Sequence, residues 1–301
     1  MPDFNGLLTE LGAVNVDTLR RKYLKALSEK TGRNVIAYYS AWLQKSADNP
    51  SKVAITDADM NGFMSCIHGL DKTKGLDLLL HTPGGEVNAT EALVTYLRSV
   101  FGKDIRAFVP QIAMSAGTMI ALSCSEIWMG KHSSIGPIDP QVGGVPAHGI
   151  VEEFQRASTE IKTTPVLVNV WEPILRRYHP TLVGQCEKAI EMADKIVRGW
   201  LPDGAVAHIG DDKEKSAAVN RVLSELGEHK TTLNHGRHVS ADKAEKIGLN
   251  VRRLESDSAL QDLVLSVHHS YCLTFTKTPA IKIIENHTEK AYVAFDTTAK
   301  M

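Results

Sequence analysis

The sequence predicts an α/β fold built on a mostly parallel sheet. Two observations carry that expectation. Three strand–turn–helix or strand–turn units follow one another between residues 76 and 130, a pattern that right-handed crossovers turn into neighbouring parallel strands. Residues 76–81, LDLLLH, form a largely apolar run rather than an alternating one, as expected of a strand buried on both faces.

Taken in order, residues 17–31 repeat Leu19, Tyr23, Leu24 and Leu27 at helical spacing among charged residues, and residues 35–40 (VIAYYS) have the β-branched and aromatic make-up of a strand. Residues 57–70 read as a second amphipathic helix. The strand at 76–81 is broken by Pro83-Gly84-Gly85, and a helix over 88–100 places Ala92, Leu93, Tyr96, Leu97 and Val100 on one side. A strand over 105–109 stops at Pro110, residues 116–124 are small and apolar enough for a buried helix, and 127–129 give a third strand. Residues 131–149 are rich in Gly, Pro and Ser and read as a loop, and helices dominate from 151 to about 228. Ser240 is placed to cap a helix over 240–247, with Gly248 as its stop. Beyond Ser256 the expectation is a helix and two β-rich stretches, 271–276 and 291–295. The division expected is an N-terminal helical segment (1–34), a central catalytic unit (35–255) and a C-terminal extension (256–301).

Composition narrows the function. With 43% apolar and 23% charged side chains, the 301 residues describe a soluble globular chain able to bury a core without staples. Thirty-four basic against thirty-five acidic residues leave a net charge of −1, which argues against a general nucleic-acid binder. No apolar run approaches the roughly 18–20 residues that span a bilayer. The first dozen residues lack a basic region, so no secretory signal is expected. Cys66, Cys124, Cys186 and Cys272 are far apart, without metal spacing, and read as buried thiols of a reducing cytoplasm. Neither a P-loop nor a dinucleotide fingerprint is present, and no cofactor is expected.

Two turns thirty residues apart carry the chemistry. His81-Thr82-Pro83-Gly84-Gly85 ends a buried strand and opens a helix, so its glycines let backbone N–H groups approach a ligand. Ala113-Met114-Ser115-Ala116-Gly117 is an A-x-S-x-G variant of a nucleophile elbow, again between strand and helix. Each alone reads equally as a tight turn or a close helix contact. Together they place donors and a hydroxyl at the same end of a parallel sheet, where ligands bind.

These segments, with the following AMSAGTMIALSCSEIWMG and SSIGPIDPQVGG and the later HVSADKAEKIGLNVRRLE, resemble the serine proteases of the ClpP/crotonase fold. The nearest branch is that of the serine dehydrogenase proteinases, relatives of signal peptide peptidase A and the Clp proteolytic subunit. The resemblance runs from about Leu76 to Leu254. It implies a spiral of β-β-α units and a homo-oligomer acting on peptide or protein substrates. A partner protein for substrate delivery or membrane association is compatible with it. It also implies that Ser115 forms an acyl-enzyme, with the N–H of Gly84 or Gly85 and that of Ala116 holding the oxyanion.

The general base is open at this level. Where the Clp subunit carries its histidine, this chain has Asp139, twenty-four residues after Ser115. His148 lies near the place of the lysine base in the signal peptide peptidase branch and is the first candidate. His235, near the place of the Clp acid, is the second; Lys162, Lys188 or Lys195 would need burial to act. His81 is a candidate to orient the Gly-Gly turn. His268-His269 lacks carboxylates at ligand spacing, and Lys45, Lys52, Lys72 and Lys74 read as solvated faces. Two other functions are carried alongside an ATP-independent serine peptidase. One is an acyl-thioester enzyme that works through Asp139, and the other is a catalytically silent assembly subunit.

Overall fold

The computed structural model of the chain describes residues 4–12, 15–45, 50–232 and 234–296. Seven strands make the central sheet: β1 (Asn34–Ser40), β2 (Leu76–His81), β3 (Ile105–Val109), β4 (Glu126–Met129), β5 (Val251–Arg253), β6 (Ala280–Asn286) and β7 (Ala291–Phe295), in the order β5-β4-β3-β2-β1-β6-β7. The five strands from β5 to β1 run parallel, and β6 and β7 add antiparallel beyond β1. The mixed α/β architecture with a mostly parallel sheet is the one the sequence predicts.

Every residue of β1 and β2 is buried, which explains their largely apolar make-up; the one charged residue, Asp77, is paired with Arg33 and Arg106. Ile36, Tyr38, Leu78 and Leu80 face one core. It is covered by α2 (Asp59–Ile67), α3 (Val87–Phe101), α4 (Ala116–Ser123) and, through Val222, by the helix at 212–227. Val35, Ala37, Tyr39 and Leu79 face the other, covered by α1 (Val16–Thr31) and a long helix, Ser258–Lys277. Asn15 caps α1 by accepting the Thr18 N–H, and Gly32 at φ 68° ends it. Ser240 and Gly248 frame the helix Ala241–Lys246 in the roles expected of them.

Two expectations are corrected. Residues 271–276 are the last turns of the helix Ser258–Lys277, not a strand. Tyr271 and Phe275, one helical turn apart, are both driven into the core against β1, so tertiary burial overrides their β propensity. The strand that pairs with β1 on this side is β6, from residue 280, and the edge strand is β7, over the 291–295 stretch expected to be β-rich. The segment 131–149 is also more ordered than a loop. It holds the short strands Ser134–Ile135, Gln141–Val142 and Val145–Pro146, and its last residues open the helix Ala147–Thr163.

That helix and Leu182–Trp200 pack on each other through Ile150, Phe154, Cys186 and Ile190 to form an arm. Its tip, Pro165–Leu167 and Val168–Leu175, leaves Val166, Val168 and Val170 exposed. Among the described residues, no helix is long and apolar enough to cross a membrane.

Candidate active site

Ser115 stands at the junction of a short strand, Ile112–Ala113, and α4, with φ 51° and ψ −118°. A non-glycine residue at positive φ stores on the order of 1–3 kcal/mol of strain and persists only where its surroundings impose it. Here they do. Met114 N–H donates to the Thr82 carbonyl at 3.0 Å, Gly117 N–H to that of Met114 at 2.7 Å, and Met119 N–H to that of Ser115 at 3.0 Å. A side chain at Gly117 would lie 2.5 Å from Thr82 Cγ2, so glycine lets α4 close on the first turn. The result is the sharp strand-to-helix turn expected of a nucleophile elbow.

The Gly-Gly turn lies directly against it. Gly84 has φ 102°, and a Cβ there would sit 2.6 Å from Ser115 Cβ. Its own N–H is taken by Thr82 Oγ1 at 3.2 Å. Its carbonyl accepts Ile55 N–H at 2.8 Å, while Glu86 N–H donates to the Ile55 carbonyl at 2.9 Å. Among the described residues the N–H groups of Gly85 and Ala116 donate to no hydrogen bond. Of the two glycines the sequence left open, Gly85 therefore has the donor to spare.

A groove of about 940 Å³ brings Ser115, Gly84, Gly85 and His235 together, with Met119, Ile138, Ala189 and Met192 on its walls. His235 sits in an Asx turn in which Gly236 N–H donates to Asn234 Oδ1 at 2.7 Å. Its Nδ1 lies 2.9 Å from Oδ1 of the fully buried Asp139, across 96 residues of sequence. The carboxylate accepts, so the proton resides on Nδ1 and Nε2 is left as an acceptor. The Asp139 segment is itself braced, Ile138 N–H donating to the Leu226 carbonyl and Ala147 N–H to that of Pro140.

The other candidates lie elsewhere. His148 does not share the groove with Ser115; it opens the helix Ala147–Thr163 and lines a neighbouring cavity with Lys195. Its place in the chain, near that of the lysine base in the signal peptide peptidase branch, does not bring it to the groove, because the helix that starts at 147 carries His148 toward the neighbouring cavity. Lys162, Lys188 and Lys195 are exposed. His81 faces the other core, its ring 5.5 Å from Tyr39 and 5.1 Å from His268, and burial pushes its pKa down to about 4. It packs behind the turn rather than beside it. No group of three or more His, Cys, Asp or Glu among the described residues is arranged to hold a metal ion. Cys66, Cys124 and Cys186 are buried, and burial pushes the Cys66 and Cys124 thiols up to about 12.

Of the residues singled out in the sequence, the structure brings Ser115, Gly84, Gly85 and His235 to one groove, with Asp139 bonded behind His235. His235 is the second candidate in the sequence, on its nearness to the stretch that supplies the Clp acid, and the Asn-His-Gly turn is the local signal that would have raised it.

The family model of ClpP-like SDH-type serine proteinases matches residues 8–257. Two curated relatives come from Methanocaldococcus jannaschii. The uncharacterized protein MJ0137 is 29% identical over 235 residues, 77% of this chain and 73% of its own length. The uncharacterized protein MJ1495 is 28% identical over 197 residues, 65% of this chain and 59% of its own length.

Proposed function

Because this chain belongs to the ClpP-like SDH-type serine proteinase family, we propose that it hydrolyses peptide bonds through a Ser115 acyl-enzyme, with His235 as general base and Asp139 as its orienting acid. The observation that carries the reading is the His235–Asp139 hydrogen bond at the edge of the groove that holds the strained serine. The roles of such a set follow from geometry, not chain order. Here the order is serine, aspartate, histidine, with the acid at the position where the Clp resemblance puts its base.

In the acylation step His235 Nε2 takes the Ser115 Oγ proton as Oγ bonds to the scissile carbonyl carbon. The carbonyl oxygen becomes an oxyanion between the N–H groups of Gly85 and Ala116. Collapse breaks the C–N bond, and the amine leaves with the proton held by His235. Water then repeats the cycle on the ester and frees Ser115. Asp139 stabilises the imidazolium without taking its proton. Each proton has a place among the chain's own side chains, and no nucleotide enters. The groove's methionine and isoleucine walls favour an apolar side chain next to the cleaved bond.

The peptidase reading is favoured over the acyl-thioester alternative, because Asp139 is buried, bonded through Oδ1 to His235 and not among the residues lining the groove. A homo-oligomer is part of the proposal, the exposed Val166, Val168 and Val170 offering apolar surface for a second copy. Sedimentation of wild type and of a variant with serine at all three positions tests it.

Intact-mass labelling with a fluorophosphonate tests the chemistry. Stoichiometric labelling of wild type, lost in Ser115→Ala, is expected. Labelling that survives that substitution, or none in wild type between pH 5 and 9, refutes the reading.

A further inference from the structure

We propose that Lys282, on the C-terminal strand β6 and outside residues 8–257, is a positioning residue for the oxyanion donor Gly85, acting through a relay of two peptide groups. The inference rests on the serine-peptidase reading and extends it to a residue that the family match does not contain.

Lys282 is buried and so is its partner Asp59, at the start of α2. Lys282 Nζ donates to Asp59 Oδ1 at 2.8 Å, to Oδ2 at 3.0 Å and to the Ala54 carbonyl at 2.6 Å. Asp59 Oδ2 also accepts Thr56 N–H at 3.0 Å and the Tyr38 hydroxyl at 2.9 Å. Four consecutive backbone groups are thereby fixed. The outer two, Ala54 C=O and Thr56 N–H, belong to the ion pair. The inner two, Ile55 N–H and Ile55 C=O, belong to the Gly-Gly turn, bonding Gly84 O and Glu86 N.

Peptide planarity makes this a relay. Ala54 C=O and Ile55 N–H share one rigid trans plane, so the cation that fixes the carbonyl also aims the N–H. That N–H bonds Gly84 C=O, which shares the next plane with Gly85 N–H. The chain therefore runs from Lys282 through Ala54–Ile55 and Gly84–Gly85 to the developing oxyanion. Hydrogen bonds in such a chain polarise one another, and a buried cation at its far end makes the final N–H a better donor. Chain contact reinforces the geometry: a Cβ at Gly85 would lie 2.3 Å from Ile55 N and O, so the two segments touch with no room for a side chain.

The test uses the full chain with Lys282→Met, and Lys282→Met/Asp59→Asn as the variant that leaves no lone buried charge. Arg20→Met serves as control. It breaks a second buried ion pair on the same strand, Arg20 with Glu285, whose other side-chain partners among the described residues, Asp17, Arg21, Tyr271 and Thr274, lie outside the turn. Fluorophosphonate labelling is followed against pH below each variant's unfolding temperature. Expected is a limiting rate about 10²-fold lower in both Lys282 variants, the size of a lost or misaimed oxyanion donor. The pH midpoint of labelling stays in place, and the rate of Arg20→Met stays near wild type. Wild-type rates in the folded Lys282 variants, an equal loss in Arg20→Met, or a moved midpoint each overturn the positioning role while wild-type labelling keeps the peptidase reading. A wild-type chain that takes no label refutes both.

Discussion

Gly84→Ala puts the two turns in direct conflict. The new Cβ would lie 2.6 Å from Ser115 Cβ, 2.8 Å from the Met114 carbonyl and 3.0 Å from Ala116 N. Carbon atoms rest about 3.5–4.0 Å apart, so something must move by roughly 1 Å. All three neighbours belong to the elbow. Left-handed backbone costs a side chain about 1–2 kcal/mol and overpacking about 1–3 kcal/mol, so the variant should lose about 2–5 kcal/mol. A shift of that size at the nucleophile should also slow phosphonate labelling by about 10²-fold. Gly32→Ala separates the two effects. Its φ is 68° but its Cβ would meet nothing within 4 Å, so it should lose only the backbone part and label normally. Denaturant melts give the stability change, and labelling of the folded variants gives the rate. Gly84→Ala labelling as fast as wild type, or Gly32→Ala slowed equally, would refute the claim that the two turns are in contact at the reacting serine.

Three further outcomes are expected. His235→Ala should lower the labelling rate by about 10²–10⁴-fold while His148→Ala leaves it within a few-fold, and kinetics of the purified variants read this directly. Stability should fall as pH drops from about 6.5 to 4, because the unfolded chain protonates His81 while the buried ring, at about 4, resists. That window is worth about 3 kcal/mol, and His81→Phe should flatten the curve by a comparable amount in pH-dependent melts. Arg20→Met leaves Glu285 buried with Arg21 and the Tyr271 hydroxyl as its side-chain partners among the described residues, and a loss of about 3–5 kcal/mol is expected by calorimetry.

The parallel strands and their helices were legible because a fully buried strand is mostly apolar and a covering helix is apolar along one side. Leu76–His81 shows the first, its one charged residue Asp77 being paired with Arg33 and Arg106, and the helix at 87–101 shows the second. The failure at 271–276 has the opposite cause, since Tyr271 and Phe275 fit either a strand or one side of a buried helix, and only the partner surface decides. In the site, Ser115 and the glycines were visible because backbone geometry restricts which residues fit. The proposed base was not, because a histidine's role depends on which loop returns to the groove. Nothing local to 235 records that Asp139 lies 2.9 Å away. Lys282 is harder still, a lone lysine in a β-rich stretch whose partners come from residues 54 and 59.

The distances along the chain between these parts have a consequence during synthesis. The turn near 85 and the proposed nucleophile at 115, acid at 139 and base at 235 leave the ribosome in that order, and Lys282 follows nearly fifty residues after His235. On the proposed reading, a chain still being made holds the serine before the histidine that would activate it has emerged. One clipped before its last strand pair keeps Ser115, Asp139 and His235 but loses Lys282. A half-made chain would then be harmless to its neighbours by the order of emergence alone.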